Sequence, residues 1–128
     1  EHNGWSYPAD TIGNFGADDL NRARIALGGL GALPAQEAIY LSARTDAQGR
    51  PLAGDTPVSL TLPARIPAGA FWSLTLYELE ADGRLFLYAN EPGIHVIQSQ
   101  SGAPAAGGTS VTISHVRPDA VGASRWLP

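Results

Sequence analysis

Residues 71–88 read FWSLTLYELEADGRLFLY, and their alternation decides the fold. Trp72, Leu74 and Leu76 fall on one side of an extended chain, with Phe71, Ser73, Thr75 and Tyr77 on the other, a period of two that belongs to a strand. Ala81-Asp82-Gly83 breaks the pattern with an Asp-Gly turn signal and the run from Arg84 resumes it, so the stretch predicts a β-hairpin. In its second arm Phe86 and Tyr88 oppose Leu85 and Leu87, which makes both faces apolar or aromatic. Such a strand is expected at the centre of a sheet, covered on both sides. An exposed aromatic surface for stacking carbohydrate or binding protein is the sharper alternative.

The same period recurs on either side of the hairpin. In 38–45, AIYLSART, Ile39, Leu41 and Ala43 share one face and Tyr40, Ser42 and Arg44 the other, and 46–49, DAQG, reads as a turn. VSLTL at 58–62 alternates between Pro57 and Pro63, which fix its length. IHVIQS at 94–99 and TSVTISHV at 109–116 make two more strands, joined by the Ala/Gly/Pro-rich loop 99–108. Six short strands with Gly and Pro turns predict a mainly β domain, an antiparallel sandwich of jelly-roll type, because alternating strands need a second apolar layer. One short helix is expected at about 17–28, where Asp18 and Asp19 supply first-turn acids, Leu20, Ala23, Leu27 and Leu30 recur near helical spacing, and Gly28, Gly29, Gly31 and then Pro34 stop it. Residues 1–16, EHNGWSYPADTIGNFG, have no period and read as an extended arm laying Trp5, Tyr7 and Phe15 on another surface. The expected organisation is thus an arm, 1–16, and a sandwich domain, 17–128.

Composition narrows the function. With 128 residues the chain is sized for one core, which excludes a multi-domain enzyme with separate cofactor and substrate halves. Charged residues make up 16%, below the usual figure of about 25%, and the net charge is −4. All eight basic residues are Arg and none cluster, so a phosphate-neutralising nucleic-acid surface is not expected. No apolar run approaches the length of about 18 residues needed for a membrane-spanning helix. The lack of Cys removes disulfides, thiolate catalysis and Cys-based metal sites. The lack of Met leads us to expect that Glu1 is not a translation start and that the chain is processed or an excerpt.

Candidate catalytic groups are few. His2, His95 and His115 are the histidines, and none sits in a metal motif. His115 has the parity of Val111 and Ile113, which favours a hydrogen-bonded histidine ending a core strand over a catalytic one. His95 shares parity with Ile97 and opposes Ile94 and Val96, so its face is open, while His2 would need metal partners from elsewhere. No Gly-x-Ser-x-Gly elbow is present; Ser59, Ser73 and Ser114 read as polar members of strands. Glu78 and Glu80 share strand parity and could stand about 7 Å apart as a glycosidase-like carboxylate pair, against the plainer reading of a solvated edge. Asp46 and Gly49 resemble part of a calcium loop without its further acidic ligands. No cofactor or metal is expected. Contact residues are instead expected among Trp5, Tyr7, Phe15, Tyr77, Phe86 and Tyr88.

The stretches GNFG (13–16), RARIALGGLGALPAQEAIYLSARTDAQGRPLAGD (22–55) and AFWSLTLYELEADGRLF (70–86), with Trp126-Leu127-Pro128 at the end, resemble the bacterial family of proteins of unknown function DUF1214. The resemblance spans about Trp5 to Tyr88, and the run 27–33 followed by Glu37-Ala38-Ile39-Tyr40 is its most specific part. It implies a jelly-roll-like β-sandwich and a secreted or membrane-tethered place in the bacterial envelope, with no established activity. Trp5, Arg22, Tyr40, Trp72 and Tyr77 fall on family motif positions. The chain departs from the family at Asn90-Glu91-Pro92, where an Asn-Pro and Arg-Tyr signature is usual, and in stopping at Pro128, where members continue into another apolar strand. That stop carries the expectation of an uncovered sheet edge.

The leading expectation is therefore a non-enzymatic envelope domain working by protein contact or self-assembly, through its arm and an open sheet edge, as a homo-oligomer. Two alternatives stand beside it. One is a hydrolase of glycan or ester using His95 or His115 with Glu78 and Glu80. The other is a small-ligand carrier whose cavity is lined by Trp72, Leu74 and Leu76.

Overall fold

A computed structural model describes residues 3–7, 11–29, 31–99 and 108–128. The described residues are mainly strands in antiparallel pairings, with one short helix. They fall into two compact units that divide after Leu52.

In the first unit, β1 (Trp5–Ser6) pairs antiparallel with β2 (Ser42–Ala43), Trp5 opposite Ala43 and Ser6 opposite Ser42. The arm thus reaches a strand of its own chain, and the Ser6 hydroxyl lies 3.2 Å from that of Ser42. Of the strand expected from Ala38, Ser42 and Ala43 form this ladder and Thr45 an isolated antiparallel bridge to Pro51. Ile39, Tyr40 and Leu41 precede the ladder with 67%, 49% and 61% exposure, so neither face of AIYL is covered. The partner explains the shortness: two residues beyond Ser6 the sequence has Pro8, whose nitrogen carries no hydrogen to continue a ladder. The following turn closes on Asp46, whose Oδ1 accepts the Gln48 and Arg50 N–H groups, both at 2.9 Å, while Gly49 takes φ +80°.

Helix α1 (Asp19–Gly29) starts two residues later than the acids suggest because Asp18 serves as its cap. The Asp18 Oδ1 accepts the Asn21 N–H at 3.0 Å and its carbonyl accepts the Arg22 N–H at 3.1 Å. The side turned inward is that of Asn21 and Ile25, both half-buried, and not the Leu20–Leu27 row; Leu20 is 63% and Leu27 92% exposed. Leu30, expected in that row, lies outside the described residues, as do most of loop 99–108 and residues 8–10 of the arm. Ile12 is the buried apolar side chain of this unit among the described residues.

The second unit has a sandwich-like arrangement. Strand β3 (Val58–Leu62) pairs antiparallel with β8 (Thr109–Ile113), from Val58 opposite Ile113 to Leu62 opposite Thr109. Strands β4 (Ser73–Thr75) and β7 (Val96–Gln98) make a second antiparallel ladder, and β5 (Tyr77–Leu79) with β6 (Leu85–Leu87) a third. Strand β9 (Trp126–Leu127) joins β8 in parallel, with Thr112 opposite Trp126 and Ile113 opposite Leu127, the one parallel pairing among the described residues. The chain reaches it through 114–125, which ends in a 3₁₀ turn at Ala123–Arg125. Buried Ile97 from β7, Val111 from β8 and Leu127 from β9 form the centre of the core, with Leu62, Trp72, Leu74, Leu76, Ile94 and Ile113 packed around them. Both the β3–β8–β9 sheet and the β4–β7 ladder supply these side chains, which is the second layer the alternation requires.

Trp72, Leu74 and Leu76 hold the parity expected of them and pack, partly buried, against the core residues. Strand β6 departs from expectation. It lies in a two-stranded ladder, not at the centre of a sheet, with Leu85 51%, Phe86 47% and Leu87 51% exposed.

Candidate functional site

Sequence reasoning placed contact residues on the hairpin, and the register shows how they sort. Cross-strand neighbours share a face. Tyr77 faces Leu87 and Leu79 faces Leu85, so these four lie on one side; Glu78 faces Phe86 on the other. The first side carries no charge, being three leucines and the Tyr77 ring with its hydroxyl, and each of its four side chains is 49–51% exposed. The phase of the apolar residues has shifted. Up to Leu76 the even positions face the core, and from Tyr77 the odd positions are apolar while Glu78 and Glu80 take the even ones.

The hairpin tip is built locally. The Glu80 N–H donates to the Arg84 carbonyl and the Gly83 N–H to the Glu80 carbonyl, both at 2.9 Å. Gly83 takes φ +88° while Asp82 keeps a negative φ, so the loop is the three-residue Ala81-Asp82-Gly83 form with its left-handed residue at Gly83. The Asp82 carboxylate accepts the Arg84 N–H at 3.1 Å and its Nε–H at 2.8 Å, and the Arg84 guanidinium lies 5.2 Å from the centre of the Phe86 ring. The charges of the tip are therefore tied to one another and to the Phe86 side, leaving the apolar side free of them. The earlier turn, 46–50, repeats the design, with Arg50 Nε donating to Asp46 Oδ2 at 2.7 Å.

No hydrogen bond or ion pair among the described residues joins Glu78, Glu80, His95 and His115 to one another. Glu78 and Glu80 are exposed side chains of the hairpin and its turn. His95 is half-buried beside Asn90, whose Nδ2 lies 3.3 Å from His95 Nδ1 and donates to the Tyr88 and Ile94 carbonyls at 3.1 and 3.0 Å; Asn90 Oδ1 accepts the Ile94 N–H at 2.9 Å. Asn90, which sequence reasoning missed as a structural centre, thus closes the loop that carries His95 and half-buried Tyr88. His115 is a correction: it is exposed and does not end a core strand. Pairing with β3 ends at Val58, because Pro57 before it has no N–H to continue, and Ser114 turns instead toward β9, donating its N–H to the Leu127 carbonyl at 3.0 Å. Buried Ser114 accepts the Trp126 indole N–H at its carbonyl, 2.9 Å, and at its hydroxyl, 3.2 Å, while its own hydroxyl donates to the Val116 carbonyl at 2.8 Å. Its oxygen is committed to structure and is no accessible nucleophile.

Among the described residues no group of three or more His, Cys, Asp and Glu is placed to hold a metal, and Asp46 is engaged in its turn. His2 lies outside the described residues. Trp5 is half-buried in β1, Tyr7 is 54% exposed, and the carbonyl of half-buried Phe15 accepts the Asp18 N–H at 2.9 Å ahead of α1. The residues expected at an interface therefore divide between the two units, with Tyr77 and Phe86 on opposite faces of the hairpin.

The family model for proteins of unknown function, DUF1214, matches residues 37–128. The chain belongs to this family. The DUF1214 match takes in Tyr40, Trp72, Tyr77 and the closing Trp126-Leu127-Pro128, and begins after Trp5 and Arg22. No curated protein and no solved structure matches the chain. No helix among the described residues is long and apolar enough to cross a membrane.

Proposed function

We propose that this DUF1214 chain is a non-enzymatic contact domain of the bacterial envelope that associates with a second copy of itself through the apolar side of its β5–β6 hairpin. The observation that carries the reading is the four-residue side Tyr77, Leu79, Leu85 and Leu87, each about half exposed on an element whose charges lie on its tip and opposite side. A surface without charge can meet its own copy about a two-fold axis without setting like charges against each other. The envelope placement follows the family resemblance.

Magnitudes decide how tight such an association is. Completing the burial of each half-exposed side chain contributes about 1 kcal/mol. Two copies together therefore gain roughly 8 kcal/mol, against a cost of association of about 4–15 kcal/mol. The self-association is accordingly reversible and concentration-dependent, not permanent. Sedimentation velocity over a wide concentration range tests it. The wild-type chain shifts toward dimer as concentration rises, while Leu85→Glu and Leu87→Glu, substitutions on an exposed side, keep their circular dichroism and stay monomeric. A wild-type chain that sediments as a monomer throughout refutes the proposal.

A further inference from the structure

Asn3-Gly4 is the only Asn-Gly pair in the sequence; Asn14, Asn21 and Asn90 precede Phe, Arg and Glu. Both residues of the pair take positive φ, +50° for Asn3 and +80° for Gly4, and Asn3 is the one non-glycine residue with positive φ among those described. Asn3 is exposed, and the Gly4 N–H forms no hydrogen bond among the described residues. An unbonded glycyl nitrogen next to an exposed asparagine amide is the arrangement in which a chain attacks its own side chain, because glycine has no Cβ to obstruct ring closure. From this geometry we infer that Asn3 is a site of spontaneous deamidation, and that its conversion detaches β1 from β2.

The step balances with water as the only co-reactant. The Gly4 nitrogen loses its proton to hydroxide and its lone pair attacks the Asn3 side-chain carbonyl carbon. The tetrahedral adduct collapses and expels ammonia, leaving a five-membered succinimide. Water then opens the ring: cleavage at the side-chain carbonyl gives aspartate, and cleavage at the backbone carbonyl gives isoaspartate, whose main chain runs through the side-chain carbon and is one methylene longer. The proton requirement makes the conversion faster as pH rises.

The consequence follows from how closely the arm is seated. A Cβ on Gly4 would collide with the Thr45 carbonyl oxygen and lie 2.9 Å from that of Asp46, so the backbone here has no slack for an inserted methylene. The Trp5–Ala43 and Ser6–Ser42 register directly downstream cannot survive the lengthening.

Peptide mapping of the intact chain after incubation at mildly alkaline pH tests the site. Fragmentation that separates isoaspartate from aspartate is compared at Asn3, Asn14, Asn21 and Asn90, with amide hydrogen exchange followed along β1 and β2. Asn3 is expected to convert ahead of the other three, with ammonia lost and the exchange protection of the β1–β2 ladder lost in step. Asn3→Gln, whose cyclisation needs a slower six-membered ring, is expected to begin with wild-type protection and to keep it. Conversion at Asn3 no faster than at the other asparagines overturns the inference. So does protection that persists after conversion, or that decays equally fast in Asn3→Gln.

Discussion

Asp46 closes its own turn with a carboxylate that accepts two backbone N–H groups and the Arg50 guanidinium. The Arg50 backbone N–H is the first cause that holds this carboxyl below its ordinary value of 3.8, followed by the Arg50 side chain and the Gln48 N–H, with partial desolvation opposing them. A carboxyl whose folded value is depressed contributes its stabilisation above the ordinary value and loses it as the pH falls through the folded one. The turn is therefore expected to hold from neutral pH down to about the ordinary carboxyl value and to loosen below it. NMR of the Gln48 and Arg50 amides checks this: their shifts move in acid in the wild type, and Asp46→Asn removes that acid response. Other residues mislead at this scale. Ser114 reads as an outward hydroxyl and His115 as an inward imidazole, yet their burial is exchanged because Pro57 ends the pairing with β3 one residue earlier. Asn90 is one polar letter in YANEPG, and its four contacts exist only once the loop 90–94 has closed.

Among elements, the strands whose two partners are both long and alternating were readable. VSLTL pairs with TSVTI over five residues because both present every second side chain to one core. The hairpin was readable from Ala81-Asp82-Gly83, although its opposite phase to β4 becomes apparent only when Leu76 is seen to end the core-facing run. AIYLSART could not be sized from its own pattern, since its length is limited by β1 on a distant stretch of chain. Strand β9 carried no periodic signal at two residues, yet Trp126 and Leu127 are buried, and its parallel seam depends on the non-local Ser114 contacts. Leu127 is fully buried against Ile97 and Val111, so Leu127→Ala is expected to cost about 2–5 kcal/mol. Urea unfolding measures it; a loss under about 1 kcal/mol would mean that β9 is not integral to this core.

At the scale of the whole molecule the chain divides into two units: one holds the arm, the helix and the Asp46 turn, the other the sandwich-like core and the hairpin. The family assignment covers the second unit entirely and names no activity. The functional reading thus rests on chemistry visible in the chain itself. No hydrogen bond or ion pair among the described residues joins the candidate groups His95, His115, Glu78 and Glu80, while Tyr77, Leu79, Leu85 and Leu87 share one uncharged side of the hairpin. Hydroxyl-radical footprinting of these four side chains at low and high protein concentration tests the account most directly. Their oxidation is expected to fall as concentration rises while that of exposed Phe71 and Val116 stays constant. Equal oxidation of the four at both concentrations would contradict it.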